Sequence, residues 1–150
     1  MSDQYKIEDF IPQRRPMLLI DEFVQATWDQ AQVRTEVRDS WPLAHCGQVD
    51  PVVLIEVVAQ TAGVLAGWRK RDKEKQGGRG WLVGIRKTRL DTKPLVVGSK
   101  LDSHVEVGYE IDNYAVFKGR VELDGHEIAA VEIQTFQPDD SFWGQEWEDG

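Results

Sequence analysis

The chain has only one cysteine, Cys46, and only three histidines among its 150 residues. A single cysteine excludes an intramolecular disulfide, so we expect a reducing, cytoplasmic location. No apolar run reaches the roughly 20 residues that span a bilayer. The N-terminus also lacks a basic start followed by an apolar segment, so we expect neither a membrane span nor a secretory signal. Without repeats or low-complexity stretches, residues 1–150 are expected to form one domain.

Basic residues are in the minority, and their distribution is uneven. The net charge of −8 argues against a nucleic-acid binder, because such proteins are usually basic overall. Residues 69–93 nevertheless hold ten basic and three acidic side chains, a local charge of +7, which leaves −15 for the rest of the chain. A local basic patch suits a phosphate or an acidic protein partner. It is equally compatible with a solvated helix end and loop.

Alternating polar and apolar residues predict strands over much of the chain. The segments concerned are residues 31–37, 80–90, 100–111, 114–123 and 126–136. Asp124-Gly125, between the last two, is typical of a tight hairpin turn. The alternation in 100–111 places Tyr109 on the inner face. Residues 38–50 break the pattern and predict a loop.

The most apolar stretch, residues 50–68, predicts a buried central helix. Asp50 can cap the free amides and Pro51 suits the first helical position, so the helix should run from 51 to about 70. Apolar residues point in nearly every direction around it, which is typical of a helix covered on all sides. Together with the hairpin-connected strands, this predicts an α+β fold in which a curved antiparallel sheet wraps around the helix.

One polar stripe interrupts the apolar helix. Glu56, Gln60, Gly63 and Gly67 fall within about 60° of one another on the helical wheel. Each glycine costs about 1 kcal/mol relative to alanine, so we expect another backbone or a ligand to approach closely there. Burial disfavours the ionised form of a carboxylate, which would suit Glu56 to general-acid chemistry. Alternatively, Glu56 and Gln60 hydrogen-bond a neighbouring strand or a second subunit.

Four segments carry motifs of a known family in the order that the family has them. They are IPQRRPMLLIDEFV (11–24), VVLIEVVAQTAGVLAG (52–67), GWLVGIRKTRLDTKPLVVGSKL (80–101) and FKGRVELDGHEIAAVEI (117–133). Together they resemble the bacterial 3-hydroxyacyl-acyl-carrier-protein dehydratases, which have the hotdog fold. The resemblance implies a homodimer or higher even oligomer, or a pair with a homologous subunit, whose sheets join edge to edge and whose helices lie side by side. It implies neither a metal nor an organic cofactor.

The resemblance also implies a site at the subunit interface. There a histidine of one subunit abstracts the proton α to the thioester carbonyl, and an acid on the helix of the other protonates the departing β-hydroxyl. Glu56 matches the acid, and His45 is the candidate for the base. The expected tunnel-lining residues are Val52, Gln60, Gly63 and Gly67. The residues expected to contact the carrier protein or a phosphate are Arg86, Lys87 and Arg89.

The loop before the helix departs from the family pattern. The Phe-Pro-Gly that follows the histidine in the family motif Gly-His-Phe-Pro-Gly is absent here, and His45 stands only eleven positions before Glu56. The shortened loop resembles a subgroup associated with aryl-polyene-type biosynthesis. Three functions therefore stay open: a dehydratase of 3-hydroxyacyl thioesters on acyl carrier protein or coenzyme A, a non-catalytic acyl-binding or scaffolding subunit, and a hotdog thioesterase. The acidic segment of about 138–150 is expected to be mobile unless its aromatic side chains dock.

Overall fold

The computed structural model of the chain describes residues 5–73 and 81–136. Six antiparallel strands form the main sheet: β1 (Glu22–Ala26), β2 (Gln30–Glu36), β5 (Trp81–Leu90), β7 (Lys100–Ile111), β8 (Tyr114–Leu123) and β9 (His126–Phe136). Their order in the sheet is β1-β2-β7-β8-β9-β5, so β1 and β5 are the edges. Three short strands, β3 (Ala44–His45), β4 (Gln48–Val49) and β6 (Leu95–Val96), form a second sheet in that order.

The central helix α1 runs from Leu54 to Lys73, after a 3-10 turn over Pro51–Val53. Asp50 caps this start as predicted, since its carboxylate accepts a hydrogen bond of 2.9 Å from the Val52 amide. The helix packs against the sheet, and the core lies between them. Gly119 of β8 marks the close approach, because a Cβ there would run into the Val58 side chain. The predicted α+β hotdog architecture is confirmed.

The expectation that no apolar stretch is long enough to span a membrane was wrong. Pro51–Arg71 has the length and composition of a membrane span, contrary to the expectation that no stretch is long enough. Core helices of globular proteins have the same properties, and here it is the sheet that covers the apolar sides. Val57, Val58, Val64 and Leu65 are completely buried within the fold, which accounts for the composition of the segment.

Two local predictions were wrong. The expected loop over 38–50 contains the β3–β4 hairpin, whose turn residues Cys46 and Gly47 have φ values of 52° and 78°. Positive φ at both central residues is what the type I′ turn of a two-residue hairpin requires. Tyr109 is 48% exposed rather than inward, because a bulge between Val107 and Tyr109 shifts the register against β8. The segment of about 138–150 lies outside the described residues, so its mobility stays a prediction.

Candidate active site and the strap that covers the helix

The glycines of the polar stripe face residues of the same chain. We call residues 10–20 the N-terminal strap. A Cβ on Gly67 would lie 2.9 Å from the carbonyl carbon of Phe10, and one on Gly63 would lie 3.1 Å from Cγ2 of Ile11. The expected close approach of another backbone is therefore provided by the strap. The place of Gly63 and Gly67 along a substrate tunnel stays a prediction.

Gln60 holds the strap against the helix. Its side chain is 1% exposed, its Oε1 accepts from the Leu19 amide at 2.9 Å, and its Nε2 donates to the Met17 carbonyl at 2.9 Å. The second hydrogen of Nε2 goes to Oε2 of Glu56 at 2.8 Å. Both amide hydrogens are thus used within the chain. Gln60 thus joins α1 to the strap, and its place in the lining of a tunnel stays a prediction.

Glu56 lies at the open end of the stripe. The prediction of a buried carboxylate is wrong for this chain by itself, because Glu56 is exposed to solvent. The strap covers the stripe from Gly67 to Gln60 and leaves Glu56 accessible. The donated hydrogen bond from the buried Gln60 amide still fixes the orientation of the carboxylate. The site therefore presents one oriented carboxylate at the surface.

Apolar side chains are exposed around the start of the helix. Val52, one turn before Glu56, is 42% exposed, and Met17, whose carbonyl is bound by Gln60, is 68% exposed. Leu43 and Val96, on the segments that pack next to β4, are also exposed. Apolar groups concentrated on one surface are typical of an interaction site. The surroundings of Glu56 thus have the character of a face that another molecule covers.

His45 lies on the β3–β4 hairpin, opposite Gln48. Its side chain is exposed. No hydrogen bond joins His45 to Glu56 in the part of the chain that the structure describes. A single chain therefore does not assemble the predicted pair, and the expected approach across a dimer stays a prediction.

Sequence reasoning missed an ion cluster at the end of the strap. Asp21 pairs with Arg15, and it accepts hydrogen bonds from Arg38 at 2.7 Å and from the Glu36 amide at 2.8 Å. Burial alone would raise the pKa of Asp21, but these donors together lower it below its ordinary value of 3.8. The cluster fixes the strap to β2. Arg15 also donates a hydrogen bond to the Leu18 carbonyl, so its guanidinium is bound within its own chain.

The three basic residues predicted to contact a carrier protein lie on the edge strand β5. Arg86, Lys87 and Arg89 are all exposed. Arg89 forms an ion pair with Glu127, so its charge is partly balanced. Lys87 is in register with Glu132 of β9. These contacts leave Arg86 and Lys87 as the more available of the three.

Comparison with known proteins identifies the family. Residues 5–143 match the ApeP-like family, described as ApeP dehydratase. The chain belongs to the ApeP-like dehydratases. A 3-hydroxyacyl-[acyl-carrier-protein] dehydratase FabZ of Streptococcus equi subsp. zooepidemicus is 33% identical over 141 residues, which cover 91% of this chain and 97% of that protein.

Solved structures agree on the fold. The dehydratase heterocomplex ApeI:P from Xenorhabdus doucetiae superimposes with a TM-score of 0.81 at 21% identity, covering 94% of this chain and 96% of that one. A hypothetical thioesterase with coenzyme A from Streptococcus pneumoniae gives a TM-score of 0.62 at 15% identity, covering 78% of this chain and 84% of that one. At these identities the likeness establishes the hotdog fold.

Proposed function

We propose that this chain is a dehydratase subunit that converts 3-hydroxyacyl thioesters of acyl carrier protein to 2-enoyl thioesters. The observation that carries the proposal is Glu56. It is the only charged residue between Val52 and Trp68, it occupies the acid position of the family motif, and a buried amide orients its carboxylate at an accessible surface. A positioned acid of this kind typically contributes about 10²–10⁴-fold to a proton-transfer step.

The proposed reaction needs a base and an acid, and His45 and Glu56 are the candidates for these two roles. A base removes the proton α to the thioester carbonyl, electron density moves toward the β carbon, and the β-hydroxyl leaves as water after accepting a proton from the carboxyl group of Glu56. His45 is the proposed base. Because both side chains are exposed in one chain, we propose that a second subunit supplies the other member of each pair. The exposed apolar groups near Val52 and Met17 would lie in that contact.

The partner subunit is proposed to be either a second copy or a homologous chain. The missing Phe-Pro-Gly after His45 favours the second candidate function, in which this chain lacks full activity and completes a site with an active homologue. The structural relative from Xenorhabdus doucetiae is described as a heterocomplex, which supports testing such a pair. The acidic carrier protein is proposed to approach Arg86 and Lys87, and the location is proposed to be cytoplasmic.

Product analysis separates the three functions. The chain is purified alone and together with a homologous dehydratase from the same genome, and each preparation receives a 3-hydroxyacyl thioester loaded on acyl carrier protein. Loss of water, seen as a mass decrease of the acyl group, supports the dehydratase. Release of free thiol supports the thioesterase.

Dehydration that appears only with the homologue supports the incomplete-subunit candidate. No product from either preparation, with correctly loaded carrier, contradicts the dehydratase proposal. The variant His126→Gln serves as a matched control for His45→Gln, since both histidines are exposed next to hairpin turns. If His45→Gln loses dehydration activity and His126→Gln keeps it, the result supports His45 as the base.

A further inference from the structure

Two backbone groups of the strap decide which way the side-chain amide of Gln60 lies. The Leu19 amide only donates a hydrogen bond, and the Met17 carbonyl only accepts one. Oε1 of Gln60 therefore faces Leu19 and Nε2 faces Met17, each at 2.9 Å. A reversed amide would set donor against donor at Leu19 and acceptor against acceptor at Met17. Since Gln60 is 1% exposed, water does not replace the lost bonds, and one orientation is strongly favoured.

Contacts that do not involve Gln60 hold this part of the strap in place. The carbonyl of Leu19, a buried residue, accepts a hydrogen bond from the buried hydroxyl of Thr35 on β2. Arg15 donates to the carbonyl of the residue before Leu19 and pairs with the carboxylate of Asp21. Because β2 and the strap itself supply these bonds, the strap sets the orientation of the Gln60 amide rather than the reverse.

The orientation of the amide distinguishes the two oxygens of Glu56. The second hydrogen of Nε2 points at Oε2 of Glu56 at 2.8 Å, so Oε2 has to present a lone pair to it. In the protonated carboxyl group the hydrogen then lies on Oε1. A reversed amide would instead present its own oxygen to Glu56, which would accept the hydrogen of the acid and withhold it from a substrate.

We propose that the strap determines which oxygen of Glu56 transfers the proton. Oε1 gives its hydrogen to the departing hydroxyl, and Gln60 is the positioning residue that transmits the orientation of the strap to the acid. This inference rests on the dehydration proposed above. Each subunit then prepares its own acid before any partner supplies the base. Because Gln60 lies buried beneath the strap and does not reach the substrate, its substitution should lower kcat and leave KM nearly unchanged.

Two substitutions of Gln60, compared by their pH–rate profiles, test the proposal. Gln60→Met keeps the length of the side chain and removes both its donor and its acceptor. Its kcat should fall by about 10–100-fold at every pH, the loss expected when an acidic group is deprived of a hydrogen bond. Rates are expressed per folded chain, with the folded fraction measured by circular dichroism at each pH.

Gln60→Glu should behave differently, because it keeps an oxygen for the Leu19 amide but donates to Glu56 only when its own carboxyl group is protonated. Of the groups that bind residue 60, on α1 and on the strap, Glu56 is the one that titrates. The kcat of Gln60→Glu relative to wild type should therefore rise as the pH falls. Gln25→Glu makes the same chemical change at an exposed position of β1 and should leave kcat unchanged throughout.

An NMR titration of the labelled wild-type protein separates this inference from the proposed reaction. The Nε2 resonance of Gln60 should shift with the same midpoint as the carboxyl carbon of Glu56, since the two groups share a hydrogen bond. An active wild type in which Gln60→Glu keeps a constant ratio to it at all pH values, or in which Nε2 ignores the Glu56 titration, overturns the inference and leaves the dehydratase standing. Coupled NMR shifts in a protein that dehydrates no 3-hydroxyacyl thioester overturn the proton transfer, and with it the proposed function.

Discussion

Substituting Gly67 by alanine tests whether the strap covers the helix stripe. Alanine is the better helix former by about 1 kcal/mol, so the change would stabilise an uncovered helix. In this structure the new methyl group would lie 2.9 Å from the carbonyl carbon and Cα of Phe10. These are backbone atoms, which move only if the strap itself shifts. Forcing additional atoms into a packed site typically costs about 1–3 kcal/mol.

The adjacent glycine of the stripe provides a matched control. A methyl group on Gly63 would lie 3.1 Å from Cγ2 of Ile11, a side-chain atom that has to move by only a few tenths of an ångström to restore ordinary contact. The gain in helix propensity and the mild crowding then nearly cancel. A Cβ on Gly67 would run into the Phe10 carbonyl oxygen as well, so we expect a crowding cost at the upper end of that range. Less the gain of about 1 kcal/mol in helix propensity, Gly67→Ala should lower the free energy of unfolding by about 2 kcal/mol, and Gly63→Ala should stay within about 1 kcal/mol of the wild type.

Urea unfolding of the two variants measures this difference, provided that each unfolds in one cooperative transition. Hydrogen exchange supplies a second readout, since a displaced strap should expose the Leu19 amide that Gln60 now binds. If Gly67→Ala is as stable as the wild type or more stable, the strap does not lie on the stripe. The stripe would then be open to a ligand, as the sequence first suggested.

Three further substitutions should change the stability of the folded chain. Gln60→Leu should cost about 1–3 kcal/mol in urea unfolding, because it leaves the buried Leu19 amide without its acceptor and removes the donor to the Met17 carbonyl. Asp21→Asn should destabilise the chain at pH 7, because the hydrogen bonds and ion pairs of Asp21 require its ionised carboxylate. The difference in stability from the wild type should shrink as the pH falls below 3.8 and through the lowered pKa that Asp21 has in the folded chain. Burial and the nearby Arg120 lower the pKa of His104 from its ordinary 6.5, although Glu122 and Asp102 oppose this effect. As the pH falls below 6.5 the unfolded chain takes up a proton that the folded chain does not, so the wild type should lose more stability than His104→Gln. Thermal unfolding at a series of pH values measures this difference.

The parts of the fold with strong local signals were predictable. Residues 100–136 alternate with a clear period, and Asp124-Gly125 allows only a tight turn between β8 and β9. Asp50-Pro51 likewise defined the start of the helix. These features depend on backbone chemistry within a few residues. The bulge beside Tyr109 and the two-residue strands of the β3–β4 hairpin depend on tertiary pairing, and no local pattern encodes them.

The candidate site was predictable in position but not in environment. The spacing of Gln60, Gly63 and Gly67 correctly indicated that something packs closely on this side of α1. A helical wheel does not distinguish a ligand from another part of the same chain, and here the contacting segment is the strap, which lies 41–57 residues earlier in the sequence. The exposure of Glu56 was missed for the same reason, since the wheel shows which direction is polar and not where the covering segment ends.

The most direct measurement is the rate at which 3-hydroxyacyl thioesters on acyl carrier protein lose water with wild type and with Glu56→Gln, each in the active assembly. The variant keeps an oxygen for the hydrogen bond from Gln60 and loses only the transferable proton. The control Glu22→Gln changes an exposed carboxylate on β1. We expect Glu56→Gln to lower the rate by about 10²–10⁴-fold while Glu22→Gln leaves it unchanged. An undiminished rate in Glu56→Gln would contradict the role proposed for this carboxylate.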